Sequence, residues 1–190
     1  LPTLDLTRYA YISVHLPSAI EPEFEPVMFG LLNALPAHWL LITHPDVIHA
    51  PHRWAELRER LCIENMDKRK SIGQTARDLG RLFESFPEAT FCFDIGHAHQ
   101  VDPTMGESVL ILEEFGSKLR QVHVSEVNSE SKHDPVSLEA LRAFQSVADL
   151  IPEGTPLILE SRVPGEAAQA EMDIALQALR PQALVRMAGD

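Results

Sequence analysis

Short apolar, β-forming runs recur six times along this chain, each followed by a stretch long enough for a helix and its loops. The runs are YAYISVHLP (9–17), WLLITHP (39–45), LCIENMD (61–67), TFCFDI (90–95), LRQVHVSEV (119–127) and TPLILESRV (155–163). Between and after them, residues 24–35, 51–60, 72–86, 104–117, 135–151 and 165–180 carry apolar side chains near helical spacing. Strands alternating with helices over short connections predict parallel pairing through right-handed crossovers. The expected fold is therefore α/β, a TIM-type (β/α) barrel forming a single domain over 1–190. A full barrel has eight βα units, so six predict a barrel lacking the first two: either the chain is a fragment, or the open edge is covered by a partner such as a second copy in a homo-oligomer.

The strand ends carry the chemistry. Glu64, Asp94 with His97, His123 and Glu160 each close one of the last four runs, and His15 and His44 close the first two. Side chains at the carboxyl ends of successive parallel strands share one mouth. Alternation along each strand supports this: Cys92 and Asp94 face one way and Phe91 and Phe93 the other, while Ile158, Glu160 and Arg162 share a face. Acids and imidazoles gathered this way suit a divalent cation.

The bulk composition narrows the function classes. The net charge of −12 works against nucleic-acid binding, which depends on cationic contacts to phosphate. No apolar run approaches the ~20 residues needed to cross a bilayer, and the first residues lack a signal-peptide pattern, so a cytoplasmic, non-membrane protein is expected. Cys62 and Cys92, the only cysteines, lie inside strands and are expected to be core residues.

The motifs ENMD, D-x-G-H-A, H-x-S-E followed by K-H-D-P, and the last L-x-L-E resemble those of the xylose-isomerase-like barrel superfamily. That superfamily holds sugar isomerases and epimerases, inosose dehydratase-like proteins and zinc-dependent apurinic-site endonucleases. The resemblance implies one divalent cation (Mn, Mg, Co or Zn) held by Glu64, Asp94, His123 and Glu160. It also implies that His97 and His133 touch substrate or a further metal. Isomerising a ketose removes a proton next to a carbonyl, and Glu64 and Glu160 are the candidate catalytic pair for that transfer. Arg162, and secondarily Lys132, are candidates to hold a phosphate or carboxylate of a small sugar or sugar-phosphate substrate. The alternatives are a nuclease with more than one zinc, which would also use His15 and His44, and a ligand-binding barrel without turnover. Ser131 departs from the nuclease pattern, which has an aspartate there.

Overall fold

The structure, a computed structural model, describes residues 4–179. The start of the chain and the last residue of the helix predicted over 165–180 lie outside that range. In chain order the elements are β1 (Ser13–His15), α1 (Glu25–Leu32), β2 (Leu40–Thr43), α2 (Pro51–Ala55), β3 (Leu61–Glu64) and α3 (Ala76–Ser85). Then come β4 (Thr90–Asp94), α4 (Ile95–Val101), α5 (Gly106–Phe115), β5 (Leu119–Val124), β6 (Glu126–Val127) and β7 (His133–Asp134). The last three are α6 (Leu138–Gln145), β8 (Leu157–Leu159) and α7 (Ala168–Leu179).

Six strands pair in parallel in the order β1-β2-β3-β4-β5-β8, while β6 and β7 form a separate antiparallel hairpin. The central strands are buried on both faces, which is why they read as nearly unbroken apolar runs. Strand alternation divides the two faces. Phe91 and Phe93 join the helix-side core with Leu79, Phe83 and Phe115, while Ile42, Cys62 and Cys92 form a small cluster of their own. Helix α3 starts where Thr75 accepts the Asp78 amide, and α6 where Ser137 accepts the Ala140 amide.

The TIM-type barrel of six units expected from the sequence is not what forms. The sheet ends at β1 and β8, which do not pair with each other, leaving an open, curled half-barrel. Closure requires strand number, tilt and stagger that bring the two edges within ladder distance, about 4.8 Å. Six strands, with only three residues in each edge strand, curl the sheet without closing its ladder.

The open edge explains a second departure. The apolar positions at helical spacing do not all turn inward: Phe24 just before α1, and Val27 and Leu31 on it, are exposed. In a closed barrel a neighbouring unit would cover that face; here an apolar groove of about 1250 Å³ runs beside α1 and β1. Two further elements escaped the sequence reading: α4, which follows β4 directly, and the β6–β7 hairpin, whose first strand is the end of the run read as one strand over 119–127. No helix among the described residues is long and apolar enough to cross a membrane.

Among the described glycines, Gly96 makes the closest approach, and it joins α4 to the segment after β5. A Cβ on Gly96 would lie 2.5 Å from the Ser125 carbonyl oxygen and 2.8 Å from Val127 Cγ2. A backbone oxygen cannot swing aside, so Gly96→Ala should cost about 1–3 kcal/mol through forced backbone shifts. Urea unfolding monitored by circular dichroism measures this; superimposable curves would mean that α4 has room to move.

Candidate metal centre

Each strand delivers its polar residue where the ladder ends. Glu64, the last residue of β3, is fully buried and surrounded by imidazoles. Its Oε2 lies 3.0 Å from His15 Nε2 and 3.3 Å from His44 Nε2, and its Oε1 lies 3.0 Å from His123 Nδ1. His123 Nδ1 is also 3.0 Å from Glu160 Oε1. His15, Glu64, His123 and Glu160 each place a ligand atom within 4.8 Å of the others. A cation with bonds of about 2.0–2.2 Å keeps its ligand atoms within about 4.4 Å of one another, and the 3.0 Å separations of Glu64 from His15 and His123, and of His123 from Glu160, lie inside that span.

A second group lies alongside. Asp94, His97 and His133 also bring ligand atoms within 4.8 Å of one another. His97 Nδ1 is 3.6 Å from Asp94 Oδ2, and His133 Nδ1 is 3.4 Å from Glu160 Oε2, which links the two groups. Asp94 is clamped from behind. The Asn65 amide donates to the Asp94 carbonyl and accepts the Asp94 N–H, both at 2.8 Å. Asp94 Oδ1 in turn accepts the His97 N–H at 2.7 Å and caps α4. Asp94 Oδ2 is left buried without a hydrogen-bond partner, as is His44 Nδ1. A buried carboxylate oxygen without a partner is costly unless something binds it.

Tautomers sharpen the fit to a cation. His15 Nδ1 lies 2.7 Å from the Leu16 carbonyl, which can only accept, so Nδ1 carries a proton. In neutral His15 the lone pair of Nε2 then faces the Glu64 carboxylate, a repulsive contact. Either a second proton or a cation must sit in that gap. The residues present therefore fit a metal, and the same reasoning predicts that without one they trap protons.

The directions of titration follow. Burial pushes the Asp94 carboxyl up to about 7, with only partial relief from His97. Burial opposes charge on His15 and His97, but Glu64 beside His15 and Asp94 beside His97 raise both above the usual imidazole range. Glu64 resists the effect of burial and is held well below the carboxylate range by His123, His15 and His44.

The two groups differ from the ligand set expected from the resemblance. His15 stands with Glu64, His123 and Glu160, where Asp94 was expected, and Asp94 stands with His97 and His133. His44 contacts the hub carboxylate. Lys132 is exposed and paired with Glu130. Arg162 is exposed, and its backbone N–H donates to the His133 carbonyl. Sequence reasoning passed over Asn65, Gln121 and Ser125, all fully buried polar residues. A signal existed for Gln121: it lies two residues before His123 in a strand and so shares its face. No family model matches this chain, and no curated protein does.

These titration directions predict how metal-free protein responds to pH. The folded protein holds protons on Asp94 above ~4, and on His15 and His97 above ~6.5, where the unfolded chain releases them. Stability should therefore fall from pH 5 to pH 8, while the Glu64 contribution is lost only in more acidic solution, below its unfolded value near 4.5. A cation competing for the same lone pairs should cancel or reverse the fall. Thermal unfolding across that range, with chelator and then with Mn²⁺ or Zn²⁺, checks it; a melting temperature independent of pH and metal would contradict the proton-trap picture.

Proposed function

We propose that this protein is a divalent-metal-dependent isomerase or epimerase acting on a small polyhydroxylated carbonyl compound, a sugar or sugar phosphate. The observation that carries this reading is the convergence of His15, Glu64, His123 and Glu160 at the carboxyl ends of a parallel sheet. When bound there, a cation supplies Lewis-acid polarisation of the carbonyl and a neighbouring hydroxyl. The xylose-isomerase-like motifs point to the same chemistry, within the open half-barrel described above.

The two glutamates take different parts. Glu64 is enclosed by imidazoles and held ionised, so its work is to anchor the centre. Glu160 keeps a side-chain exposure of 22% and reaches the opening. It is the group placed to take a proton from a carbon next to the carbonyl. His133 touches its other oxygen, and burial pushes that imidazole below its usual range, leaving it neutral and able to receive the proton. Arg162 lies in the loop after Glu160, and an anionic end of the substrate would meet it there.

A second reading, a phosphodiester-cleaving enzyme with more than one zinc, is favoured by one observation. The Asp94–His97–His133 group has the unpartnered Asp94 oxygen at its centre. The net charge of −12 counts against a nucleic-acid substrate.

Metal content by plasma mass spectrometry, combined with turnover in D₂O, separates these readings. One Mn, Co or Mg per chain, with deuterium appearing at the carbon next to the carbonyl of a ketose, supports the isomerase. Two or three zincs with cleavage of an abasic-site oligonucleotide supports the second reading, and no metal after reconstitution removes both. For the isomerase, Glu160→Gln should lower turnover by at least the 10²-fold typical of losing a general base, with an unchanged far-UV spectrum. Retained deuterium exchange would take Glu160 out of the proton transfer.

A further inference from the structure

The loop after β3 carries three consecutive cations, Lys68, Arg69 and Lys70, in a chain that is acidic as a whole. Following a strand end, it stands on the same side of the sheet as the metal centre. It is braced from several directions. Met66 donates its N–H to the Gly73 carbonyl at 2.9 Å and closes the base of the loop. Lys68 donates its N–H to Gln100 Oε1 on α4 at 3.0 Å, and the Lys70 ammonium lies 2.5 Å from the Asp46 carboxylate beyond β2. The Lys70 N–H returns to the Asp67 carbonyl at 3.2 Å, so 67–70 form a turn with Lys68 and Arg69 at its tip.

Arg69 is fixed a second time, through its side chain. Its backbone N–H lies 2.7 Å from Asp67 Oδ1, its Nε 3.2 Å from the same oxygen, and its Nη2 2.8 Å from Asp67 Oδ2. Asp67 is buried, whereas the Arg69 side chain is 59% exposed. A guanidinium is a planar fork with five N–H donors. The carboxylate takes the Nε–Nη2 edge, and no group among the described residues takes the Nη1–Nη2 edge. A counter-ion for Asp67 accounts for the first edge alone. The second is a preformed pair of parallel donors on an exposed side chain.

Its position ties that pair to the centre. Asp67 Oδ2, the oxygen that holds Nη2, is also 3.9 Å from His97 Nε2. The guanidinium and the His97 ring therefore flank one carboxylate oxygen. An anion seated on the free edge stands within the length of one small molecule from the Asp94–His97–His133 group. Two parallel N–H donors match two oxygens of a phosphate. A lysine ammonium offers the charge without the paired geometry. Arg162 is the competing anchor, exposed in the loop after Glu160 and separated from Arg69 by β4 and β5 in the sheet.

The geometry assigns Arg69, clamped by Asp67, as the group that seats the phosphate of a sugar-phosphate substrate and sets the preference for it over the neutral sugar. This rests on the isomerase reading and narrows its substrate class.

Titration calorimetry with inorganic phosphate, on the protein as purified and again in chelator, tests the seat without any turnover. Wild type should bind phosphate in both states. Arg69→Lys should bind it about tenfold or more weakly, the cost of losing one charge-assisted hydrogen bond. The lysine keeps a cation beside Asp67, so circular dichroism and the melting temperature should stay close to those of wild type. Should that variant fail to fold, ¹⁵N spectra of the arginine side chains in wild type give the same answer. The Arg69 Nε–H signal shifts with phosphate if the seat is there and stands still if it is not. In metal-loaded protein, Arg69→Lys should raise KM for a ketose phosphate about tenfold relative to KM for the neutral ketose.

Equal phosphate affinity in wild type and Arg69→Lys, or binding lost only in Arg162→Met, overturns the assignment and leaves Arg69 as a counter-ion for Asp67. Phosphate binding that weakens in Arg69→Lys, in a protein that takes up no metal, supports the seat while removing the isomerase.

Discussion

A fully buried carboxylate with imidazoles on both of its oxygens is the constraint to which the rest of this molecule answers. Glu64 sits at the centre of the sheet, where an isolated charge would be expensive. His15, His44 and His123 reach it from β1, the end of β2 and β5, so each of those strands must end at the right height. Parallel pairing supplies this, because it brings all the strand ends to one side. Alternation supplies the rest, sending phenylalanines outward to the helices. The helices then serve the site indirectly, by holding a curled sheet at the curvature that lets six strand ends converge.

Around that hub the supporting residues do different work. Asn65 fixes Asp94 through two backbone hydrogen bonds, and Asp94 fixes α4 through its cap. Gly96 lets α4 approach the Ser125 backbone, which carries His97 toward Asp94. Glu171 on α7 accepts both the Val136 amide and the Ser161 hydroxyl, tying together the segments that follow His133 and Glu160. Each supporting group is buried or backbone-bound, so the ligand groups are held with little freedom. Such ordering is what a preformed site requires and what a solvated cluster of acids lacks.

Much of this was legible in the sequence, for identifiable physical reasons. The six strands announce themselves because buried parallel strands are continuous apolar runs, and Glu64, Asp94, His123 and Glu160 stand out as polar residues ending them. Closure was not legible, because it depends on whether the first and last strands reach each other. Local pattern is the same in a barrel and in an open sheet. The partition of ligands into two groups was equally hidden: Asp94 ends its strand like Glu64, and only the clamp by Asn65 and the turn into α4 direct it toward His97 and His133. Helix α4 escaped notice because IGHAHQV has no amphipathic stripe; its first residues are buried on every side. Gln121 was readable from alternation alone, but a lone glutamine in a strand carries no chemistry until its neighbours are known.

The two edges of the half-barrel give the metal group a bearing on how the chain assembles. His15 follows from the first strand and Glu160 from the last, so nearly the whole described chain separates two donors of one small cluster. The remaining contacts of the sheet join successive strands and can form unit by unit, each closing a modest loop. Bringing β1 against the end of β8 is the long-range event, with no ladder to reward it. In folding-rate terms the centre is where the greatest chain entropy is lost for the fewest backbone hydrogen bonds. A cation bridging His15 and Glu160 would therefore act late, on a sheet already built, converting an assembly of neighbours into a structure whose ends are joined.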